Sequence, residues 1–131
     1  MPANKAMQAY VESEKTNIAE GNDPLAVVAL LFDELIRAME GFARHSDKKT
    51  GKKETRSEKF GRSLTLIYAL QTSLNFEDGG EIANNLFSLY EYSRQQLLRD
   101  WHDQTGSNTL KAIEALDEVR QAWHELNKRR E

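Results

Sequence analysis

The chain has 131 residues, enough for one domain with a single buried core, and 39% of them are hydrophobic against 30% charged. Cysteine is absent, which excludes disulfide and thiolate chemistry and favours a reducing cytosol. Two prolines and seven glycines are too few for a turn-rich β fold. No apolar run approaches the roughly 20 residues that cross a membrane, and the first residues lack a signal-peptide pattern. We therefore expect a cytoplasmic protein with no membrane insertion.

Charge is spread unevenly along the chain, although the net charge is only −3. Residues 47–62 carry seven Lys or Arg against three Asp or Glu, whereas residues 63–118 carry three against nine. A uniformly basic face is missing, so nucleic acid is not an expected partner. The basic stretch from Lys48 to Arg62 is either a solvated loop with a helix start or a patch that binds anions, and the sequence does not decide between them.

Residues 1–22 are polar and only weakly periodic. They could form a short amphipathic helix with the apolar side chains Met7, Tyr10, Val11 and Ile18. A helix of this length is marginal on its own in water. We predict a mobile N-terminal arm or cap helix that docks on a body formed by residues 23–131.

The second helix has the clearest pattern in the chain. Asp23 can cap its first turn, and Pro24 follows at a position where the missing N–H costs nothing. Spacings of three and four then connect Leu25, Val28, Phe32, Leu35, Met39 and Phe42, as in the seam of a helix bundle. Leu31 and Ile36 widen this stripe beyond what one neighbouring helix can cover.

The third helix is predicted to begin at the capping-box pattern Thr55 to Glu58 and to end near Phe76. Its predicted inner line is Phe60, Leu64, Ile67, Gln71 and Leu74. A tight turn at Gly79-Gly80 would then fold the next helix back on this one.

The fourth helix is predicted from about Glu81 to Gln104, with Asp78 as its cap and Glu81 reaching back to that cap. Its inner line is Ile82, Leu86, Leu89 and Tyr90, whereas Phe87 and Tyr92 lie off that line. Aromatic side chains beyond the core stripe indicate a second surface that needs covering. This helix is therefore the expected wall of any binding site.

The fifth helix is predicted to begin at Ser107 as its cap. Its inner line would be Leu110, Ile113, Leu116, Val119, Trp123 and Leu126, and both Trp101 and Trp123 are expected in the core. The four aromatic residues Tyr68, Phe87, Tyr90 and Tyr92 cannot all point inward. Long helices joined by mostly short connections predict an all-α, antiparallel four-helix bundle with a short N-terminal cap helix.

Catalytic and metal chemistry finds no support in the sequence. Metal sites in bundle interiors use Glu-x-x-His, and none of the three histidines has glutamate three residues before it. His45 with Lys48 bears a superficial likeness to a phosphotransfer site, but the pair lies where a helix meets a loop, and His102 and His124 are predicted at the surface. We expect no metal, no cofactor and no enzymatic activity.

Several blocks of the sequence together resemble a known family, the flagellin-export chaperones of the FliS family. The blocks are Tyr10 in a polar arm, Pro24-Leu25, the segment from Leu30 to Ile36, the segment from Gly79 to Leu86 that runs on to Tyr92, and the segment from Glu118 to Trp123. They occur in order over essentially the whole chain. The chain departs from the family at Gly21 to Pro24, where a Thr-Ala-Ser-Pro type is common, and at Phe32, where tyrosine is usual.

This resemblance implies a bacterial cytosolic chaperone that binds the disordered C-terminal segment of flagellin, prevents premature polymerisation and delivers flagellin to the flagellar type III export apparatus. The arm would resemble a lid over part of the client groove. The residues expected to contact the partner are Tyr10, Ile18, Leu31, Phe32, Leu35, Leu86, Phe87 and Tyr90. A phosphotransfer domain and a general helical adaptor remain as alternatives, and the sequence does not distinguish a monomer from a homodimer.

Overall fold

The computed structural model describes residues 24–130, without the side chains of residues 24, 25, 127, 129 and 130. The described residues form four helices, named here α1 (Pro24–Arg44), α2 (Lys53–Thr72), α3 (Phe76–Asp103) and α4 (Ser107–Arg130), and no strand. The predicted arm at residues 1–22, with Tyr10 and Ile18, lies outside this part of the chain. None of these four helices has a stretch long and apolar enough to cross a membrane.

The four helices are arranged as a closed square. Each helix packs against its two neighbours in the order α1, α2, α3, α4 and back to α1, and the pair α2 and α3 is in least contact. Since the connections are short, successive helices run antiparallel. The predicted all-α four-helix bundle is confirmed.

One hydrophobic core runs through the middle of the bundle. Its largest fully buried side chains include Tyr90, Phe42, Leu35, Met39, Ile67, Leu70, Leu97 and Leu116. Phe32 of α1 and Tyr90 of α3 meet edge to face across the bundle, with ring centroids 6.2 Å apart. The inner lines predicted for α1 and for the main part of α3 are confirmed from Phe32 and Ile82 onward.

The start of α2 differs from the prediction. The capping position is Lys52, whose side chain makes no capping hydrogen bond, and the predicted capping-box residues Thr55 to Glu58 lie inside the helix. The backbone N–H of Lys52 instead donates to His45 Nδ1 at 3.2 Å. The capping-box prediction is wrong because the loop before α2 is held by a side chain seven residues away, which no local motif reveals.

The face of α2 that enters the core also differs from the prediction. The buried residues are Ser63, Leu66, Ile67 and Leu70, whereas Phe60, Leu64 and Gln71 are only half-buried. The helix ends at Thr72, and Leu74 follows it rather than closing its inner line. The line predicted as the core face is therefore mostly a flank.

The start of α3 differs from the prediction in its first residue and its cap, whereas the predicted break at the glycine pair is present. The helix begins at Phe76, where the third helix was predicted to end, and Asn75 caps it by accepting the N–H of Asp78 at 3.1 Å. Gly80 breaks the helical path from within, at φ 48° and ψ −119°. That positive φ is open to glycine without steric cost. Asp78 and Glu81 thus do not form the predicted cap, because Asn75 caps the first turn. The predicted break before Glu81 is present, since Gly80 separates a short first helical segment from the long remainder of α3.

The connection between α3 and α4 is closed by a buried carboxylate. Asp100 Oδ2 accepts the N–H of Thr109 at 2.6 Å, and its Oδ1 accepts the side-chain N–H of Asn108 at 2.9 Å. Ser107 is the first residue of α4, and its N–H donates to Thr105 Oγ1. The predicted Ser107 cap is therefore wrong, since Asp100 takes the capping role from the preceding helix.

Two residues predicted to face inward lie at the surface. Trp101 is 38% exposed, and its ring stacks on Phe60 with centroids 4.3 Å apart. Leu110 is exposed as well, while Ala112 takes a core position in α4. Trp123 is buried, as predicted. The prediction that one or more of the aromatic residues Tyr68, Phe87, Tyr90 and Tyr92 lie at the surface is confirmed, because three of them are exposed.

Candidate partner-binding surface

The residues predicted as partner contacts fall into three groups. Phe32, Leu35, Leu86 and Tyr90 are core residues, and Leu35 and Tyr90 are only 0% and 1% exposed. A partner cannot touch those side chains unless the bundle opens. Leu31 is half-buried on α1, and Phe87 is 42% exposed on α3. Tyr10 and Ile18 lie outside the described residues.

Phe87 belongs to a stripe along α3. Its members, at spacings of four, three, four and three, are Phe87, Glu91, Arg94, Leu98 and Trp101. Residues at these spacings lie along one side of a helix. Since α3 rises 1.5 Å per residue, the stripe is about 21 Å long.

A matching stripe on α2 faces it. Its members are Phe60, Leu64, Tyr68 and Gln71. Phe60 stacks on Trp101 at one end, and Gln71 Nε2 donates to Glu91 Oε1 at 3.4 Å further along. We name the surface formed by these two stripes the α2–α3 seam. Because α2 and α3 are in least contact of the four pairs, the seam is the least closed side of the bundle.

The seam concentrates exposed apolar side chains. Nine large hydrophobic side chains of the described residues are exposed, and five of these lie in the seam or at its end: Tyr68, Phe76, Phe87, Leu98 and Trp101. Phe76 extends the seam beyond Phe87, with ring centroids 6.3 Å apart. Contiguous exposed apolar surface is typical of sites that bind other proteins. An extended or helical apolar segment could lie along this path.

An ion pair on α3 interrupts the apolar side chains near the middle of the seam. Arg94 forms an ion pair with Glu91 through two nitrogen atoms. The pKa of Glu91 lies below its ordinary value, chiefly because of the hydrogen bond from Arg94. The Glu91 carboxylate and the Arg94 guanidinium pair with each other. A partner that covers the apolar side chains on either side of them therefore leaves no charge unpaired.

Beyond Trp101 the seam opens into a concave, positively charged region that we name the basic hollow. It has a volume of about 470 Å³, and its lining includes His45, Lys48, Lys53, Arg56 and Trp101. A volume of this size lies within the range of ordinary ligand pockets, about 300–1,000 Å³. Trp101 belongs to both the seam and the hollow, so the two surfaces are continuous.

Arg56 forms the floor between the hollow and the core. Its guanidinium lies between the rings of Phe42 and Trp101, 4.8 and 4.9 Å from their centroids. Nε donates to Ser46 Oγ at 2.9 Å, and an Nη2 hydrogen bond at 2.8 Å reaches the carbonyl oxygen of Asp100. Burial lowers the pKa of Arg56, and the charge of Asp100 opposes this shift. Arg56 therefore fastens the ends of α1 and α3 to α2.

A second, smaller apolar patch lies near the start of α1. Val27 and Leu30 are exposed, one helical turn apart, beside half-buried Leu31. The sequence pointed to surplus apolar width on this helix through Leu31 and Ile36. The structure moves the exposed part toward the N-terminal end of α1, since Ile36 is buried.

Histidine and acidic side chains are the remaining candidate groups for chemistry. Within residues 24–130, no three His, Asp or Glu side chains come together as a metal site would need. His45 follows the end of α1, and its Nδ1 is engaged by the loop N–H of Lys52. His102 and His124 are exposed, as predicted. The phosphotransfer alternative thus gains no support from the position of His45.

Sequence reasoning found part of the seam but misassigned it. The line through Phe60, Leu64 and Gln71 was recognised as a stripe and taken for core, and Leu98 and Phe76 were not singled out. One signal was present in the sequence. Glu91 and Arg94 interrupt the stripe on α3, and charged residues at the centre of such a line indicate an outer flank rather than a core face.

Comparison with known proteins covers nearly the whole chain. The family model of the flagellar protein FliS matches residues 5–130. Among curated proteins, the flagellar secretion chaperone FliS of Vibrio cholerae serotype O1 is 28% identical over 122 residues, which span 92% of this chain and 88% of that protein. The match to the family model includes α1 to α4, and hence the seam and the basic hollow.

Proposed function

The chain belongs to the FliS family of flagellar proteins, and from that premise we propose that it is a flagellar secretion chaperone for flagellin. It binds the disordered C-terminal segment of flagellin in the bacterial cytosol, keeps flagellin from polymerising too early and delivers it to the flagellar export apparatus. The name of the Vibrio cholerae relative supports the chaperone role. The role is one of binding rather than catalysis.

The observation that carries this proposal is the exposed apolar path of the α2–α3 seam. Leu98 lies about three helical turns from Phe87, and Trp101 about one turn further. All three side chains remain open to solvent on a helix whose core-facing side is buried. A disordered segment that orders on binding can cover such a long, narrow surface. Core residues such as Leu35 and Tyr90 support this surface from beneath and do not themselves meet the client.

The proposed contacts follow from exposure. Of the residues predicted from the sequence, exposed Phe87 and half-buried Leu31 remain proposed client contacts. The exposed seam residues Tyr68, Leu98 and Trp101 are added to them. We further propose that residues 1–22 act as a lid, with Tyr10 and Ile18 competing with the client for apolar surface.

Calorimetry tests the proposal directly. The full chain is titrated with a peptide of the last few dozen residues of flagellin from the same organism. Ordering of a disordered, apolar client should release heat, lose entropy and give a negative heat-capacity change. Absence of binding to any flagellin C-terminal peptide would overturn the proposed function.

A matched pair of variants tests the location of the site. Phe87 and Tyr92 are 42% and 40% exposed on the same helix, and they lie about 140° apart around its axis. Phe87→Ser should lower the affinity for the peptide by about tenfold or more, as truncation of an aromatic interface residue typically does. Tyr92→Ser should leave the affinity within about twofold, because it lies outside the seam. Equal effects of the two variants would remove the seam from the proposal.

A further inference from the structure

The basic hollow holds positive charge that the bundle itself does not use. Lys48 and Lys53 line it and form no ion pair within the described residues. The side chain of Arg56 is fixed at the floor by bonds to Ser46 and Asp100. The lysines are thus available to a ligand, while Arg56 supplies a fixed charge beneath them.

One carboxylate lies in the hollow, and it is already engaged. Asp47 Oδ1 accepts the N–H groups of Lys49 and Thr50 at 2.8 and 3.0 Å. These bonds, chiefly the one from Thr50, keep the pKa of Asp47 below its ordinary value, so the loop itself already stabilises this negative charge. The three cationic side chains of Lys48, Lys53 and Arg56 outnumber this single carboxylate, so the net charge of the hollow is positive.

The charge of the hollow contrasts with that of the chain. Residues 47–62 carry seven cationic side chains against three anionic ones, in a chain with a net charge of −3. An acidic group approaching the protein is therefore drawn toward this region and repelled by much of the remaining surface.

The position of the hollow restricts which kind of molecule can place an anionic group there. Trp101 closes one end of the apolar seam and lines the hollow as well. A polypeptide that follows the seam past Trp101 must pass over Lys53 and Arg56. The anionic groups of an unmodified polypeptide are carboxylates.

From this continuity we propose that the basic hollow is a carboxylate-binding subsite for the segment bound along the α2–α3 seam. This inference rests on the proposed function, since it adds a polar anchor at the end of the same surface. The carboxylate fixes the direction and register of a client whose other contacts are apolar and hence poorly directional. It comes from an Asp or Glu side chain of the client or from its chain terminus.

Two double variants of equal charge test the proposal. Lys48→Gln with Lys53→Gln removes both lysines that line the hollow, whereas Lys49→Gln with Lys52→Gln removes two exposed lysines of the same loop that do not line it. The flagellin peptide is titrated into the full chain and into both variants at low and high salt. The first pair should weaken binding by about three- to tenfold at low salt, as expected for two partly exposed charge contacts.

Salt supplies the second readout. Affinity of the parent should decrease with rising salt, and the Lys48 and Lys53 variant should lose most of that dependence. The Lys49 and Lys52 variant should keep both affinity and salt dependence within about twofold of the parent. Similar losses in the two variants would show general attraction by the loop and overturn the subsite. No loss in either would overturn it too.

Peptide chemistry identifies the source of the carboxylate. One peptide carries a C-terminal amide, and others carry Asn or Gln in place of single acidic residues. Weakening by one of these changes in the parent, but not in the Lys48 and Lys53 variant, supports the subsite and names its ligand. If none weakens binding, the subsite is overturned while the chaperone proposal stands. If the parent binds no flagellin peptide at all, both proposals fall.

Discussion

Asp100 Oδ2 accepts the backbone N–H of Thr109 at 2.6 Å, so the last turns of α3 cap the first turn of α4. The first N–H groups of a helix have no partner within it, and a carboxylate there also meets the positive end of the helix dipole. Asp100 is fully buried, and its carbonyl oxygen accepts a hydrogen bond from Arg56. One residue thereby joins α2, α3 and α4 at the end of the bundle that holds the basic hollow.

Replacement of Asp100 by alanine should lower the free energy of unfolding by about 2–4 kcal/mol. The change removes two hydrogen bonds to a buried carboxylate and leaves the donors of Asn108 and Thr109 unsatisfied. Urea unfolding followed by circular dichroism measures the loss. Asp103→Ala, an exposed position three residues on, is the control and should change the free energy of unfolding by less than about 0.5 kcal/mol. Equal losses in the two variants would contradict the capping role.

Two glycines should respond in opposite ways to substitution by alanine. A Cβ at Gly106 would lie 2.8 Å from Ala43 Cα and 2.9 Å from its carbonyl oxygen, both backbone atoms of α1. Gly106→Ala should therefore cost about 1–3 kcal/mol through overpacking. Gly61 lies within α2 with nothing within 4 Å of its Cβ position, so Gly61→Ala should stabilise by about 0.5–1 kcal/mol. Thermal and urea unfolding measure the stability of both variants. If Gly106→Ala proves more stable than the parent, α1 and the α3–α4 loop are not in close contact.

Leu86 tests the register of α3. It lies in the core, and Leu86→Ala should cost about 2–5 kcal/mol, the range for large-to-small changes at buried sites. Ser88, two residues on and exposed, is the control, since Ser88→Ala should have little effect. If Leu86→Ala leaves the melting temperature unchanged, Leu86 lies outside the core. The register of α3 would then differ from the one described, and so would its contacts with α2 and α4.

The sequence predicted α1 correctly because several local signals there agree. A proline at the first helical position and one apolar stripe together define both the start of α1 and the face from Phe32 to Phe42 that enters the core. In α2 two stripes compete, one through Leu66 and Leu70 and the other through Phe60 and Leu64. Apolar spacing shows which residues share a side of a helix. It does not show which side meets the core and which meets a neighbouring helix.

The features that sequence reasoning missed depend on contacts between distant residues. His45 engages the start of α2 across seven residues, and Asp100 caps α4 across nine. Trp101 lies at the surface because Phe60 and Arg56, both on another helix, occupy its inner side. The seam and the hollow arise from such pairings, which become visible only when the helices are placed side by side.

Removal of residues 1–20 tests the proposed lid. If Tyr10 and Ile18 compete with the client, the shortened chain should keep its helical bundle and its cooperative unfolding, and its affinity for the flagellin peptide should stay level or rise. Circular dichroism and calorimetry on the full and shortened chains measure the two effects. Lost cooperativity would show a structural role for the arm. Weaker client binding with an intact fold would instead make the arm part of the binding surface.

The acid sensitivity of the loop before α2 should depend on Asp47. Hydrogen bonds from the N–H groups of Thr50 and Lys49 lower the pKa of this side chain in the folded chain below its ordinary value of 3.8. A carboxyl group with a lowered pKa stabilises the folded state at pH values above its ordinary pKa, and this contribution is lost as the pH falls through the folded value. Near neutral pH the parent should therefore be more stable than Asp47→Asn, whose side chain accepts the same bonds without the charge.

Urea unfolding from about pH 7 down to about pH 2.5 measures this difference in free energy of unfolding. The advantage of the parent over Asp47→Asn should be constant above about pH 5 and should shrink as the pH falls below 3.8, the ordinary value for the carboxyl group. Asp103→Asn, an exposed carboxylate that accepts no hydrogen bond in the described structure, is the control for the loss of one negative charge. If the difference between the parent and Asp47→Asn is the same at both ends of this pH range, the Asp47 carboxylate does not stabilise the loop that borders the basic hollow.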